Sequence, residues 1–333
     1  MYQVREIIKE EYILHEKKGL QQTIFQTSMW LDFLEVNQKI RPVILELFDG
    51  EFLCAFFVGG IVNKFGIKIL GSPFEGWLTP DMGFVRVKEI DVNMAIKAVA
   101  DYAFKNLHCL LVQIEDKNIS VDTLDISIKY SLDKLLLVDI NKSQSEIIEG
   151  FTSNGRRDVR ASGRKNLEFK TVPFDEKFVT NHYEQLVDVF AKQNLKPFYP
   201  VEKLLDLVET FKEYPERVLA MEARLSTGEN IASIFTFGYQ KWGYYMGAAS
   251  YRAYQKYLPN EGLFWEFSKF WNEQGIMHLD LVGYREYKLK YNPEIIEIPV
   301  ILIEKYRGII FLKNVAKRCI VMMRKLRGCF SRR

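Results

Sequence analysis

One order of segments, met twice along the chain, constrains the fold more than any other feature. In the first half, the apolar runs PVILELF (42–48) and EFLCAFFV (51–58) flank Asp49-Gly50, a dipeptide that supplies the positive φ angles of a tight β-hairpin. IKILGSPF (67–74) follows. From Asp91 to Asn106, Ala95, Ile96, Val99, Ala103 and Phe104 then recur at helical spacing, and HCLLVQI (108–114) reads as a buried strand. The second half repeats this order. VLAMEARL and IASIFTFGY flank a Ser-Thr-Gly-Glu turn, WGYYMGAAS makes a third strand, and Leu263, Phe267, Phe270 and Trp271 mark a helix from Pro259 to a stop at Gly275. HLDLVG closes it. The offset of roughly 170–180 residues is that of a domain-scale repeat, which predicts two copies of one α+β fold with mixed sheets and packed helices. With 333 residues, 48% of them hydrophobic, the chain is long enough for two cores.

Between the copies lies NGRRDVRASGRKNL, Asn154 to Leu167. Ser143 and Glu146 have capping-box spacing, so a helix is expected to start near Gln144. On it Ile148, Phe151 and Val159 face a core, while Arg156, Arg160 and Arg164 share another face. Gly155 and Gly163 each lower helix propensity by about 1 kcal/mol relative to alanine. Arginines one turn apart suit a phosphate, which guanidinium groups grip through paired charge-assisted bonds. An anion-binding helix at a domain junction is therefore expected, its glycines letting a ligand approach the backbone. The expected domains are 1–142, 143–304 and a basic tail, 305–333.

Charge splits by position. After Glu304 there are ten Lys or Arg and no acid, which leaves the preceding residues at −7 against a whole-chain +3. An acidic body argues against non-specific nucleic-acid binding. In the tail, Val315, Cys319, Met322, Met323, Leu326 and Phe330 form a helical stripe among basic neighbours, so Lys313–Arg333 is expected to form an amphipathic helix suited to an anionic membrane surface. The four cysteines lack metal-ligand spacing, which fits a reducing cytoplasmic setting. The N-terminal MYQVREIIKEEYILHEKKG has no apolar h-region, so no secretory signal is expected. No dinucleotide fingerprint, P-loop, zinc motif or nucleophile elbow occurs, so metal, nicotinamide and serine-hydrolase chemistry have no support.

The stretch from Tyr244 to Pro293 carries the densest pattern. Met246–Ser250 is an aromatic, glycine-rich strand end, and Pro259–Trp265 a proline-asparagine-led helix with a tryptophan. Asp280–Gly283 ends a strand and Tyr287–Lys290 holds an aromatic–lysine pair. With Arg157–Leu167 and the early Trp30–Leu34, this order resembles the acetyltransferase-like branch of the GNAT superfamily, with FemAB relatives, in which two GNAT-type domains share one chain. The resemblance covers about Ser28 to Asn292.

It implies transfer of an acyl or aminoacyl group to an amine. By position it implies phosphate contacts from Arg156, Arg157, Arg160 or Arg164, and a lysine, Lys288 or Lys290, steadying the reacting carbonyl. Asp280 or Glu261 would take a proton, while Tyr245, Asn260 and Trp265 would line the substrate site. The usual GNAT pyrophosphate loop, Q/R-x-x-G-x-G/A, is absent from both halves. The expected donor is acyl-CoA, with aminoacyl-tRNA as the alternative, and no metal is required. The expected acceptor is a nucleotide- or lipid-linked amino sugar, or an amino acid group, of cell-envelope assembly. The enzyme is expected in the cytoplasm, peripheral at the inner face of the membrane. A non-catalytic scaffold of the same fold is a third reading.

Overall fold

The computed structural model describes residues 2–64, 66–74, 76–191, 195–197 and 199–311. The expected basic C-terminal helix and the Lys313–Arg333 membrane segment lie outside the described residues. In chain order the first elements are β1 (Gln3–Ile7), α1 (Lys9–Lys17), α2 (Ser28–Gln38), β2 (Arg41–Asp49), β3 (Phe52–Lys64), β4 (Ile67–Ser72), β5 (Gly83–Arg86), α3 (Val92–Lys105) and β6 (Leu111–Glu115). Then come β7 (Tyr130–Asp139), α4 (Gln144–Gly150), α5 (Ser153–Gly163), β8 (Glu168–Val172), α6 (Glu176–Ala191), α7 (Glu202–Phe211), β9 (Val218–Arg224), β10 (Asn230–Tyr239), β11 (Trp242–Ser250), α8 (Pro259–Glu273), β12 (His278–Asp280) and β13 (Glu294–Glu304).

The chain divides into two compact units, one of residues 2–21, 38–133 and 298–311 and one of 22–37 and 134–297. These units depart from the sequence blocks 1–142 and 143–304 because two segments join the unit distant in sequence. The segment 22–37, which contains most of α2, buries Trp30 and Phe25 against Phe237 and Tyr244 of the second unit. Residues Val300–Glu304 of β13 pair antiparallel with β6 of the first. Each fully buried aromatic side chain contributes about 1.5–3 kcal/mol, more than the cost of a longer connection, which grows only slowly with length.

In the first unit the strand order is β1-β2-β3-β4-β6-β13, with β5 also against β3. Gly50 turns the β2–β3 hairpin at φ +61°, as Asp49-Gly50 predicts. Asp91 caps α3 by accepting from Met94 N–H at 3.0 Å, and Ala95, Ile96, Val99 and Ala103 face the core. Strands β4 and β6 are parallel. In the second unit the order is β7-β12-β11-β10-β9-β8, and only β11 and β12 are parallel. Hairpin, third strand, helix and parallel fourth strand thus occur in both units, as the repeated sequence order requires.

Candidate functional site

Strands β11 and β12 pair only through Trp242–His278, Gly243–Leu279 and Tyr244–Asp280. Beyond Tyr244, β11 continues to Ser250 with β10 on one edge only, and an extra residue, Met246, bulges between Tyr245 and Gly247. Bulges are common beside active sites, where they re-aim a strand. The remaining edge of β11 is thereby left without a strand partner among the described residues, beside the end of β12.

All the expected site residues belong to the second unit. The chain leaves β12 at Asp280, whose Oδ1 accepts from Val282 N–H at 2.8 Å, and reaches a 3-10 helix, Glu286–Tyr291. Two residues apart on a three-residue turn, Lys288 and Lys290 point to different neighbours. The Lys288 ammonium donates to the carbonyls of Leu281 (2.6 Å), Val282 (2.7 Å) and Gly283 (3.2 Å), and the residue is 5% exposed. Burial lowers its pKa to about 8, with Asp280 opposing the shift. A lysine has three N–H donors, and all are spent on the loop. In this arrangement Lys288 holds the loop, without a free N–H for a substrate carbonyl.

Lys290 takes the other direction. Its ammonium contacts Glu261 Oε1 of α8 and lies 3.8 Å from Asp158 Oδ2 of α5. Its carbonyl accepts from Thr152 N–H (3.1 Å) and Thr152 Oγ1–H (2.9 Å). This lysine thus ties α5, α8 and the 3-10 helix together, and Glu261 is an ion-pair partner before it is a proton acceptor.

The arginine segment differs from the sequence expectation. The helix expected from Gln144 is broken at Phe151, which is extended at φ −66°, ψ 157°. Thr152 then caps a second helix, accepting from Gly155 N–H at 3.1 Å. The break lets Arg156 donate to the carbonyls of Glu149 (2.8 Å) and Phe151, which satisfies acceptors orphaned at the end of α4. Only the Nη1 group of Arg156 is engaged at the helix end. Arg157 pairs with the adjacent Asp158 at 3.1 Å. Arg160 is exposed on α5, and Arg164, also exposed, is the C-cap, one residue past the helix.

The two glycines differ in what they face. A Cβ on Gly155 would lie 2.2 Å from the Lys290 carbonyl oxygen, so the close approach there is by the chain itself. Gly163 ends α5 with nothing within 4 Å of a Cβ. Gly163→Ala is accordingly expected to raise stability by about 0.5–1 kcal/mol, read from the urea midpoint. A lower midpoint would contradict the geometry.

Tyr245 is 8% exposed, its ring packed on Phe264 and Phe267 of α8 and 5.2 Å from the Lys288 ammonium. Burial holds its hydroxyl well above the usual tyrosine pKa, and that hydroxyl bonds Tyr287. Asn260 donates to Ser250 Oγ at 3.2 Å, joining the start of α8 to the end of β11. Trp265 meets Phe151 edge-on at 6.2 Å and serves as packing for the α4–α5 break. The sequence reading missed Tyr291, stacked on Phe264 at 3.4 Å, and Asp158. It also gave Tyr287 no role of its own. Tyr287 and Tyr291 flank the two lysines in YKLKY, and the alternation of aromatic and cation on a three-residue turn was the available signal.

Among the described residues no group of His, Cys, Asp and Glu is placed to hold a metal, and no helix is long and apolar enough to cross a membrane. A family model described as an acetyltransferase (GNAT) domain matches residues 153–289. No curated protein matches the chain. Among solved structures, FemX shares 11% identity at a TM-score of 0.68, over 90% of this chain and 97% of its own. A tandem GNAT protein from the clavulanic acid biosynthesis pathway shares 6% at 0.54, over 91% and 98%. The C-terminal domain of a putative lysylphosphatidylglycerol synthetase from Agrobacterium fabrum shares 12% at 0.51, over 89% and 92%. The repeated architecture in each unit accords with these likenesses. The chain has the tandem fold of FemX and of the tandem GNAT protein, and its residues 153–289 match a GNAT-type acetyltransferase domain, so an acyltransferase is what the fold and that match together support.

Proposed function

We propose that the chain transfers an aminoacyl group from an ester donor, aminoacyl-tRNA, to the amine of a phosphate-linked cell-envelope precursor. The observation that carries this reading is the exposed cationic run Arg157, Arg160, Arg164 and Lys165 on and just after α5, a helix anchored at Gly155 and Thr152 to the Lys290 carbonyl. Guanidinium groups held beside a site suit phosphate oxygens. Amine acylation needs positioning and stabilisation of a developing oxyanion more than any obligatory residue type. The Lys288 charge and the open edge of β11 supply both.

The turn from β11 to α8 favours this donor over a coenzyme A thioester. Arg252 there is bound to Asp188 through its backbone N–H (2.8 Å) and guanidinium (3.1 Å), and α8 opens with Pro259 and carries Glu261 in its first turn. A diphosphate is better met by free N–H groups without an acid beside them. The fold shared with a putative lysylphosphatidylglycerol synthetase agrees with an aminoacyl donor. The match to an acetyltransferase domain supports the second reading, N-acylation of an amino sugar by acyl-CoA. In both, the basic stretch Lys313–Arg333 would hold the enzyme at an anionic membrane surface.

Purified protein should be given charged tRNA or a panel of acyl-CoAs, with pooled nucleotide-linked amino-sugar acceptors, and the acceptor masses measured. An aminoacyl mass gain abolished by RNase is expected. An RNase-insensitive gain with thiol release would establish the acyl-CoA reading instead, and no gain from either donor would favour the non-catalytic scaffold.

A further inference from the structure

In the first unit, one face of α3 borders a groove of about 570 Å³ whose other wall is the segment 125–129 with the end of β13. Side chains fix the two walls against each other. Asn93 of α3 donates to the Thr123 carbonyl at 2.8 Å and accepts from Asp125 N–H at 2.8 Å, and Leu302 N–H donates to the Lys129 carbonyl at 3.1 Å. Ile96, Ala100, Phe104, Ile128 and Ile303 give the groove an apolar lining. Met94, on the same face of α3, is 45% exposed. Of the charges that line it, Lys129 pairs with Glu304 at 3.4 Å, which leaves Asp101 and Asp125 against Lys97.

The chain leaves β13 beside this groove. Glu304 lines it, and its Oε2 accepts from the N–H groups of Gly308 and Ile310, each at 3.1 Å. Lys305 Nζ donates to the Phe104 carbonyl of the α3 wall at 3.0 Å. Residues 309–311 then begin a helix behind the Glu304 carboxylate, a charge that suits a helix N-terminus. Phe311, the last of the described residues, is 68% exposed. Residues 312–333 carry eight Lys or Arg and no acid.

We propose that this groove is the seat of the chain's own basic tail, with Val315, Cys319 and Met322 on its apolar lining and the flanking Arg318 and Lys325 toward Asp101 and Asp125. Connectivity and charge name the occupant. Val315 falls about one helical turn past Phe311, so the tail reaches the groove without a long closing loop. Anchors at i, i+4 and i+7 are those by which an amphipathic helix fills such a groove. An apolar stripe faces one surface at a time, so an anionic bilayer and the groove compete for it. Only this exchange rests on the membrane role given to the tail above, and neither part depends on the donor.

Amide hydrogen exchange over 92–105 and 124–129 tests the seat, in the full chain and in the double variant Val315→Asp with Met322→Asp, which alters no residue of the groove. Exchange in those segments is expected to quicken about tenfold in the variant, with the rest of the unit unchanged. Equal exchange in the two proteins would overturn the proposal. Met94→Cys, treated with a short bismaleimide, is expected to be joined to Cys319 within one molecule. Joining only between molecules, or none, would overturn a seat for the chain's own tail. Phosphatidylglycerol vesicles should quicken exchange in the wild type as the double variant does, and bound wild type with its protection intact would overturn the competition. A protein that acylates nothing would still give each of these results, so failure of the functional reading is read separately.

Discussion

Lys288→Ala is expected to cost about 3–5 kcal/mol of stability and to abolish transfer, because it removes one partner from a buried charged arrangement and strands the rest. The carbonyls of Leu281, Val282 and Gly283 would lose the donor that gathers them, and Asp280, 1% exposed, would lose the cation beside it. Lys288→Met fills nearly the same space without charge and separates the two effects. It should fold better than the alanine variant and be as inactive.

The pH dependence gives the same residue a second signature. The Lys288 pKa is about 8 in the folded protein against an ordinary 10.5. The ammonium is therefore lost as pH rises through 8, and the rate should fall about tenfold per unit above it. Stability moves the other way. Between about pH 8 and 10.5 the unfolded chain binds the proton that the folded chain has released, so this residue's contribution to stability rises with pH across that window. Urea midpoints and rates at pH 7.5 and 9.5, compared between wild type and Lys288→Met, check both. Equal slopes in the two proteins, or a methionine variant with wild-type turnover, would show that the charge plays no part.

The second large effect is steric. Gly155→Val is expected to destabilise the protein by about 3 kcal/mol or more, above the usual range for overpacking, because its Cβ would meet a backbone carbonyl 2.2 Å away. No rotamer relieves a clash at Cβ, and the Lys290 carbonyl is itself held by Thr152 N–H and Oγ1. Relief would require α5 to move off the 3-10 helix, which would separate Asp158 from Lys290 and shift the exposed arginines. Activity should therefore fall along with the denaturation midpoint. A valine variant with wild-type stability would mean that α5 does not pack on Lys290 as described.

The hairpins, the helices over 92–105 and 259–273, and the parallel strand closing each copy were legible in the sequence, because each depends on local signals. Asp49-Gly50 turns the chain by its own φ preference, Asp91 caps the helix it precedes, and apolar spacing sets the buried face. The order of segments from Met246 to Lys290, with its strand end, proline-led helix and aromatic–lysine pair, was also legible. The partners of the side chains were not. Whether a lysine in YKLKY meets carbonyls or a carboxylate depends on 3-10 geometry and on helices about 30 and 130 residues away in sequence. That Arg156 Nη1 meets two carbonyls depends on the break at Phe151, which no local spacing announces.

By itself, then, the sequence determined the repeated α+β plan, the acyltransferase resemblance and the stretch in which its site would lie, all matters of spacing along one chain. Only the tertiary structure decided that 22–37 and 298–304 join the unit distant in sequence, that Gly155 receives a backbone carbonyl, and that Lys290 meets Glu261 and Asp158 while Lys288 meets three carbonyls. These are pairings across space, fixed by which surfaces bury together and which donors remain unspent, and no local propensity encodes them.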